Sequence, residues 1–215
     1  HKINFVIWVP SVLINVVNSR ALEEFVPKSL NKILFAGEVM PNKHLNVWRG
    51  YYPKAIFSNL YGPTEAAVIA SYYIVDRDFD DHEPLPIGFP CNNIDLLVLN
   101  DSNLKAKEGE LGELCIRGNA LAQGYWHDEE KTSKVFVQNP LNKLYPEKIY
   151  KTGDLVKLNE IGELIYLGRK DSQIKHNGYR IELGEIENSV LSINQIKNAC
   201  VLYNNTEKQI CLFYQ

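Results

Sequence analysis

The sequence predicts an α/β chain that passes into an antiparallel, β-barrel-like unit and ends in a small α+β lobe. Three observations carry this. Short apolar runs alternate with helical segments over residues 1–83, the pattern of a mostly parallel sheet. From residue 84 to 170, Pro84, Pro86, Pro90 and glycines at 109, 112, 118 and 124 punctuate short strand-like runs, the texture of an antiparallel barrel. Over 171–215 a hairpin signal, one amphipathic helix and two further strands follow one another.

In the first subdomain, Phe5 to Val9 reads as a short buried strand, and Pro10-Ser11 turns it into a helix over Val12–Val17 with Ser11 as its N-cap. Ile33 to Ala36 is the next strand; it ends at Gly37-Glu38, and a helix follows Pro41. Ala55-Ile56-Phe57 then runs into the turn Asn59-Leu60-Tyr61-Gly62-Pro63-Thr64-Glu65. Gly37-Glu38 and Tyr61 to Glu65 both fall at strand ends, where ligands of parallel sheets sit. In the second subdomain the strands are Ile94–Leu99, Leu114–Ile116, Ile149-Tyr150, Leu155-Val156 and Leu164–Leu167. In the third, Gln173–Lys175 and Tyr179–Ile181 flank the turn signal Asn177-Gly178. Leu183, Ile186, Val190 and Leu191 share a helical face, with Glu182, Glu185 and Glu187 early in that helix. Strands Ala199–Tyr203 and Gln209–Phe213 follow, joined by an Asn204-Asn205 turn.

The length of 215 residues suits one large domain or two small ones. A formal net charge of −3 with scattered Lys and Arg gives no sign of a nucleic-acid or membrane partner. Cys91, Cys115, Cys200 and Cys211 form no CxxC pair, and the last three lie in apolar runs; buried free thiols in a reducing cytoplasm are expected. The five histidines lack metal-ligand spacing, and no Ser nucleophile elbow or Rossmann glycine fingerprint is present. The chain starts inside one apolar run and stops just after another, which reads as a fragment of a longer enzyme, with the first and third subdomains partial.

The turn at residues 59–65 crowds a ring, a hydroxyl and a carboxylate onto one bend. Such a bend suits a ligand with a flat base, a phosphate and a metal: Tyr61 stacking on the base, Thr64 donating to phosphate, Glu65 holding Mg²⁺. It equally suits an ordinary turn whose Thr and Glu cap a helix of Ala66, Ala67 and Val68. In Tyr150-Lys151-Thr152-Gly153-Asp154, a carboxylate beyond a Gly turn either accepts from two sugar hydroxyls or satisfies its own turn. Gly168-Arg169-Lys170-Asp171 is either a hinge, with Arg169 a ribose or phosphate partner, or a solvated linker. The stretch from Gly112 through Gly118 to Gly124-Tyr125-Trp126 offers little chemistry of its own, and its glycines read as barrel turns.

Taken together, NLYGPTE, GELGELCIRGNALAQGYW, YKTGDL and GRKDSQIKHNGYRIELGEIE, in that order, resemble the adenylate-forming superfamily. The likeness is to its amino-acid-activating branch, namely peptide-synthetase adenylation domains and D-alanine–carrier-protein ligases, and it covers nearly the whole chain. It implies the second half of the family's large domain followed by part of the small C-terminal lobe. It also implies a cytoplasmic enzyme using ATP and Mg²⁺. A carboxylate attacks the α-phosphorus of ATP; a phosphopantetheine thiol of a carrier protein then takes the acyl group.

Carried over by position, the resemblance implies adenine between Tyr61 and the Gly37-Glu38 backbone, with Asn59 near its amino edge. Thr64 would touch the α-phosphate, Glu65 the Mg²⁺, and Asp154 with Arg169 the ribose. Asp171 would be the hinge, and Gly178 would approach the thiol in the rotated state. Leu34, Ala36, Leu60 and Val68 would line the acyl pocket, suiting a small or aliphatic amino acid. The family's phosphate loop, its amine-binding Asp and its C-terminal catalytic Lys fall outside this sequence, so the chain alone is expected to adenylate poorly. Two other readings stand beside this one: an acyl- or aryl-CoA ligase of the same superfamily, and a non-catalytic nucleotide-binding module.

Overall fold

The structure is a computed structural model and describes residues 2–204 and 206–215. These fall into two compact units, residues 1–168 and 169–215.

The larger unit contains two sheets. In the first, β1 (Phe5–Trp8), β2 (Lys32–Ala36), β3 (Ile56–Tyr61), β4 (Ser71–Ile74) and β5 (Phe89–Pro90) lie side by side in chain order. The ladders β1–β2 and β2–β3 are parallel, while β4 and β5 add antiparallel. Helices α1 (Pro10–Asn18) and α3 (Asn42–Tyr51) form the two crossovers between the parallel strands, with the single turn α2 (Ala21–Glu24) between α1 and β2. Alternation along the strands sends Ile33, Phe35 and Phe57 into the core that they share with Leu13, Leu45 and Trp48 of the helices. The Trp48 indole N–H donates to the Leu13 carbonyl at 3.0 Å, tying α3 to α1. Leu34, Ala36, Ser58 and Leu60 alternate onto the opposite face of the sheet.

Several local expectations are corrected here. Among the described residues β1 is not a buried strand: β2 is its one sheet neighbour there, and Phe5, Ile7 and Trp8 are exposed. Helix α1 starts at Pro10, whose fixed φ suits the first helical position, so Ser11 lies inside the helix and is not its cap. The Ser11 amide instead donates to the Glu38 carboxylate at 2.8 Å. After β3 there is no helix over Ala66–Val68. Thr64–Ala66 make one 3₁₀ turn, and Ala67 and Val68 then take positive φ values of 56° and 73°, which stops helical propagation.

The second sheet contains β6 (Ile94–Leu99), β7 (Gly112–Gly118), β8 (Phe136–Gln138), β9 (Lys148–Leu158) and β10 (Leu164–Arg169). Their order is β10-β9-β7-β6, with β8 also on β9, and the β6–β7, β7–β9 and β8–β9 ladders are antiparallel. The antiparallel pairing expected for the glycine-punctuated, barrel-like part of the chain is present. Helix α4 (Glu129–Val135) precedes β8 and is capped by Asp128, whose side chain accepts from the Lys131 amide at 2.8 Å.

Lys151 to Asp154 is not a turn between strands. β9 runs unbroken through it, and its register against β7 shifts between the Glu113–Leu155 and Cys115–Lys151 pairs. Three residues of β9, Thr152, Gly153 and Asp154, therefore face the single Leu114, a bulge of the kind that re-aims side chains beside functional sites.

In the smaller unit, β11 (Gln173–His176) and β12 (Tyr179–Glu182) form the predicted hairpin, with Asn177 and Gly178 at φ 51° and 80°. Glu182 ends β12 and stands before α5 (Leu183–Leu191), so it is not part of the helix. β13 (Ala199–Asn204) and β14 (Gln209–Tyr214) pair antiparallel; the turn placed at Asn204-Asn205 lies in part outside the described residues. Leu183 and Val201 are buried, and the Val201 amide donates to Glu187 at 2.7 Å, joining helix to strand. Of the cysteines, Cys115 is buried, Cys91 and Cys211 are half-buried and Cys200 is exposed. Cys200 alternates outward on a two-stranded ribbon, so the expectation of burial fails there.

Candidate functional site

β2 and β3 are parallel neighbours with Ala36 opposite Leu60, so Gly37, just past the end of β2, and Tyr61, the last residue of β3, stand at adjacent points on one edge. This is the carboxyl edge, where the sequence placed the site. Gly37 is exposed with φ 92°. The Glu38 side chain, reaching the first turn of α1, holds the Gly37-Glu38 segment down. Asn59 is buried, and its amide donates to the Pro86 carbonyl at 2.8 Å, which fixes the 84–88 segment against β3.

Tyr61 is buried among Ile87, Val98, Leu114 and Val156, and its hydroxyl donates to the Asp154 carboxylate. Burial, and then the Asp154 charge, push the Tyr61 phenol well above its ordinary value, so it stays a donor across the physiological range. Asp154 owes its position to the bulge. The Thr152 hydroxyl donates to the Leu114 carbonyl at 2.7 Å and accepts from the Asp154 amide at 3.0 Å. The Gly153 amide donates to Glu113 at 3.2 Å, and Lys151 pairs with the same carboxylate at 3.5 Å. Gly153 has φ 73°, which a residue with a Cβ adopts only with strain.

Thr64 is exposed at the start of the 3₁₀ turn, while Glu65 beside it is 6% exposed. The Ala122 amide donates to the Glu65 backbone carbonyl at 2.8 Å, and the Tyr125 hydroxyl to its side-chain Oε1 at 2.5 Å. Two carboxylates, Asp154 and Glu65, are thus each buried and each held by a neutral phenol from a distant part of the chain. Among the described residues no group of three or more His, Cys, Asp or Glu is placed to hold a metal unaided. One carboxylate nonetheless fits Mg²⁺, which is commonly held by one or two carboxylates together with substrate phosphates.

Of the four pocket positions, Leu34, Ala36 and Leu60 share the sheet face away from the helices; Leu60 is buried and the other two half-buried. Val68 lies beyond the 3₁₀ turn and is 59% exposed. In the smaller unit, Arg169 grips Asp171 through two hydrogen bonds of 2.9 and 2.5 Å. Burial alone would raise the Asp171 carboxyl; the Arg169 hydrogen bond and charge and the Gln173 amide outweigh it and hold the group below the usual carboxylate range.

The AMP-binding enzyme family matches residues 1–126, more than half of the sequence. The chain belongs to that family. As an AMP-binding enzyme chain it is 35% identical over 199 residues to Tyrocidine synthase 2 of Brevibacillus parabrevis, covering 93% of this chain and 5% of that protein. It is 36% identical over 218 residues to an L-proline–[L-prolyl-carrier protein] ligase of Streptomyces coelicolor, covering all of this chain and 40% of that one. The solved adenylation domain AlmE of Vibrio cholerae, in complex with glycyl-adenosine-5′-phosphate, superposes with a TM-score of 0.83 at 27% identity. That match covers all of this chain and 41% of AlmE, so the chain spans less than half the length of each of these relatives. The resemblance to the amino-acid-activating branch, read from the motifs, therefore holds.

Two parts of the candidate site have no counterpart in the sequence reading. The stretch around Gly124-Tyr125 reads as barrel turns, yet it delivers a hydroxyl to Glu65. Glu113 reads as part of a stretch without chemistry, yet it supports the bulge that carries Asp154. Neither contact has a local signal, because the partners are 60 and 40 residues away.

Proposed function

We propose that the whole protein to which this chain belongs is an ATP-dependent, AMP-forming ligase. It activates an amino acid as its aminoacyl-adenylate and passes the acyl group to a carrier-protein phosphopantetheine thiol. The observation that carries this reading is the pairing of Asp154 with Tyr61 beside the carboxyl edge of β2 and β3. A base against Tyr61 and a ribose on Asp154 then belong to a single hydrogen-bonded unit. Likeness to a prolyl-carrier-protein ligase and to a domain bound to an aminoacyl-adenylate supports the substrate class.

In this reading, the Gly37-Glu38 backbone forms the second wall of the base site, with Asn59 at its border. Thr64, exposed at the turn, donates to the α-phosphate. Glu65 holds Mg²⁺, which when bound neutralises phosphate charge. Arg169 assists at the ribose. The substrate carboxylate oxygen bonds to the α-phosphorus as the bond to pyrophosphate breaks; in-line displacement of this kind needs positioning and charge balance rather than covalent help. The thiol then attacks the acyl carbon and AMP leaves. Asp171 is the hinge between the two half-reactions, and Gly178 passes close to the thiol. Leu34, Ala36, Leu60 and Val68 accept a small or aliphatic side chain.

The test is amino-acid-dependent exchange of pyrophosphate into ATP by the full-length protein, with amino acids, fatty acids and aryl acids as separate substrates. Exchange driven by a small or aliphatic amino acid is the expected result. Exchange with fatty or aryl acids alone would favour a CoA ligase, and none with any acid would leave a nucleotide-binding module.

A further inference from the structure

We infer that Tyr125 is a positioning residue for Glu65, and that residues 118–132 form a brace that sets the orientation of this carboxylate. The inference rests on the reading of Glu65 as the residue that holds Mg²⁺.

Glu65 sits in a single 3₁₀ turn followed by two residues of positive φ, a segment with too little regular structure to fix its own side chain. The brace takes hold of it at two points. The Ala122 amide binds the Glu65 carbonyl at 2.8 Å, and the Tyr125 hydroxyl binds Oε1 at 2.5 Å. Tyr125 is itself anchored. Its amide donates to Thr132 Oγ1 at 2.8 Å, and that hydroxyl donates to the Asp128 carbonyl at 2.7 Å. Its ring meets the Phe136 ring edge-on at 6.0 Å, and the Lys131 ammonium lies 4.9 Å from its centroid. Gly124, at φ 157°, lets the loop close on Thr132: a Cβ there would stand 2.5 Å from Thr132 Cγ2.

The choice of a phenol is chemically informative. A Lys or Arg at this place would orient the carboxylate and cancel its charge. A neutral O–H donor orients it and leaves the negative charge for a cation. Groups that hydrogen-bond to metal-binding side chains commonly change metal affinity by 10–100-fold when removed.

The experiment is Mn²⁺ binding to the full-length protein, followed by the EPR signal of free Mn²⁺, with and without ATP. It compares the parent with Glu65→Gln, Tyr125→Phe and Thr132→Val, each checked for folding by thermal melting. The expected result is Mn²⁺ binding that Glu65→Gln abolishes and Tyr125→Phe weakens by about tenfold or more. Thr132→Val keeps the phenol and loosens only its anchor; a smaller loss of Mn²⁺ affinity in that variant supports the brace even if Tyr125→Phe folds poorly. Binding that needs Glu65 but is unchanged in Tyr125→Phe and Thr132→Val overturns the inference while sparing the reading of Glu65. Absent Mn²⁺ binding, or binding indifferent to Glu65→Gln, overturns both.

Discussion

The Tyr61 hydroxyl and the Asp154 carboxylate, 93 residues apart in sequence, are joined by a hydrogen bond in the interior of the larger unit. Tyr61 ends β3 of the mixed sheet, and Asp154 lies in the bulge of β9 in the antiparallel sheet. The bond therefore connects the two sheets at the proposed nucleotide site, and disturbing either partner should be felt in both stability and binding.

Replacing Tyr61 by Phe removes a donor from a buried carboxylate and is expected to cost about 1–3 kcal/mol of stability, read from urea unfolding at neutral pH. The effect is pH-dependent. The folded phenol titrates well above its unfolded value, so the stability linked to it is fully present below about pH 10 and declines as pH rises toward the folded value. Above about pH 10 the parent should lose stability more steeply than Tyr61→Phe.

Asp154→Ala is expected to weaken AMP binding. Each charge-assisted hydrogen bond to a ribose hydroxyl is worth about 1.5–3 kcal/mol, so loss of one or two corresponds to at least roughly a tenfold rise in Kd. Titration calorimetry of AMP against the full-length protein measures it. Unchanged affinity would remove Asp154 from the site.

Glu38→Ala removes the acceptor for the Ser11 amide at the start of α1. A lost N-terminal cap costs about 0.5–2 kcal/mol, and Glu38→Gln, which keeps an acceptor oxygen, should cost less. Chemical denaturation of both variants distinguishes a cap from a solvent-facing carboxylate.

Asp171 has a folded-state pKa held below the usual carboxylate range, chiefly by Arg169 acting against burial. Its contribution to stability is present above the unfolded carboxylate value and is lost as pH falls through the folded one. Asp171→Asn should flatten the acid side of the stability profile below about pH 4 and leave its slope near pH 7 unchanged. The group is half-exposed and screened, so the change should be small. Acid titration followed by circular dichroism reports it.

Most of the strand and helix pattern was legible because each piece has a local cause. Ile33, Phe35 and Phe57 mark buried strands, and Asn177-Gly178 marks a hairpin whose two residues take positive φ. The misread places depend on partners far away. Ser11 has the chemistry of a cap, but the acceptor is Glu38, 27 residues on. Phe5 to Val9 suggests burial because its residues are apolar, whereas among the described residues only β2 packs beside that strand. Lys151 to Asp154 suggests a turn because Gly153 breaks propensity, yet Thr152 and Glu113 satisfy the backbone and carry the strand through. Within the candidate site, Tyr61, Glu65 and Asp154 are proposed from their motifs, whereas the contact of Tyr125 with Glu65 has no such signal, since nothing in the neighbourhood of Tyr125 refers to Glu65.

The bulge in β9 holds two extra residues, an even number, so Tyr150, Thr152, Asp154 and Val156 all remain on the buried side of the strand. Losing one residue at position 153 would leave two residues opposite Leu114, a shorter bulge that the Glu113–Leu155 and Cys115–Lys151 pairs on either side could still frame. The ladder beyond would keep its alternation, and the damage would be confined to the aim of Asp154. The bulge thus acts as a local buffer, in which a change of chain length is felt by one carboxylate rather than by the whole strand.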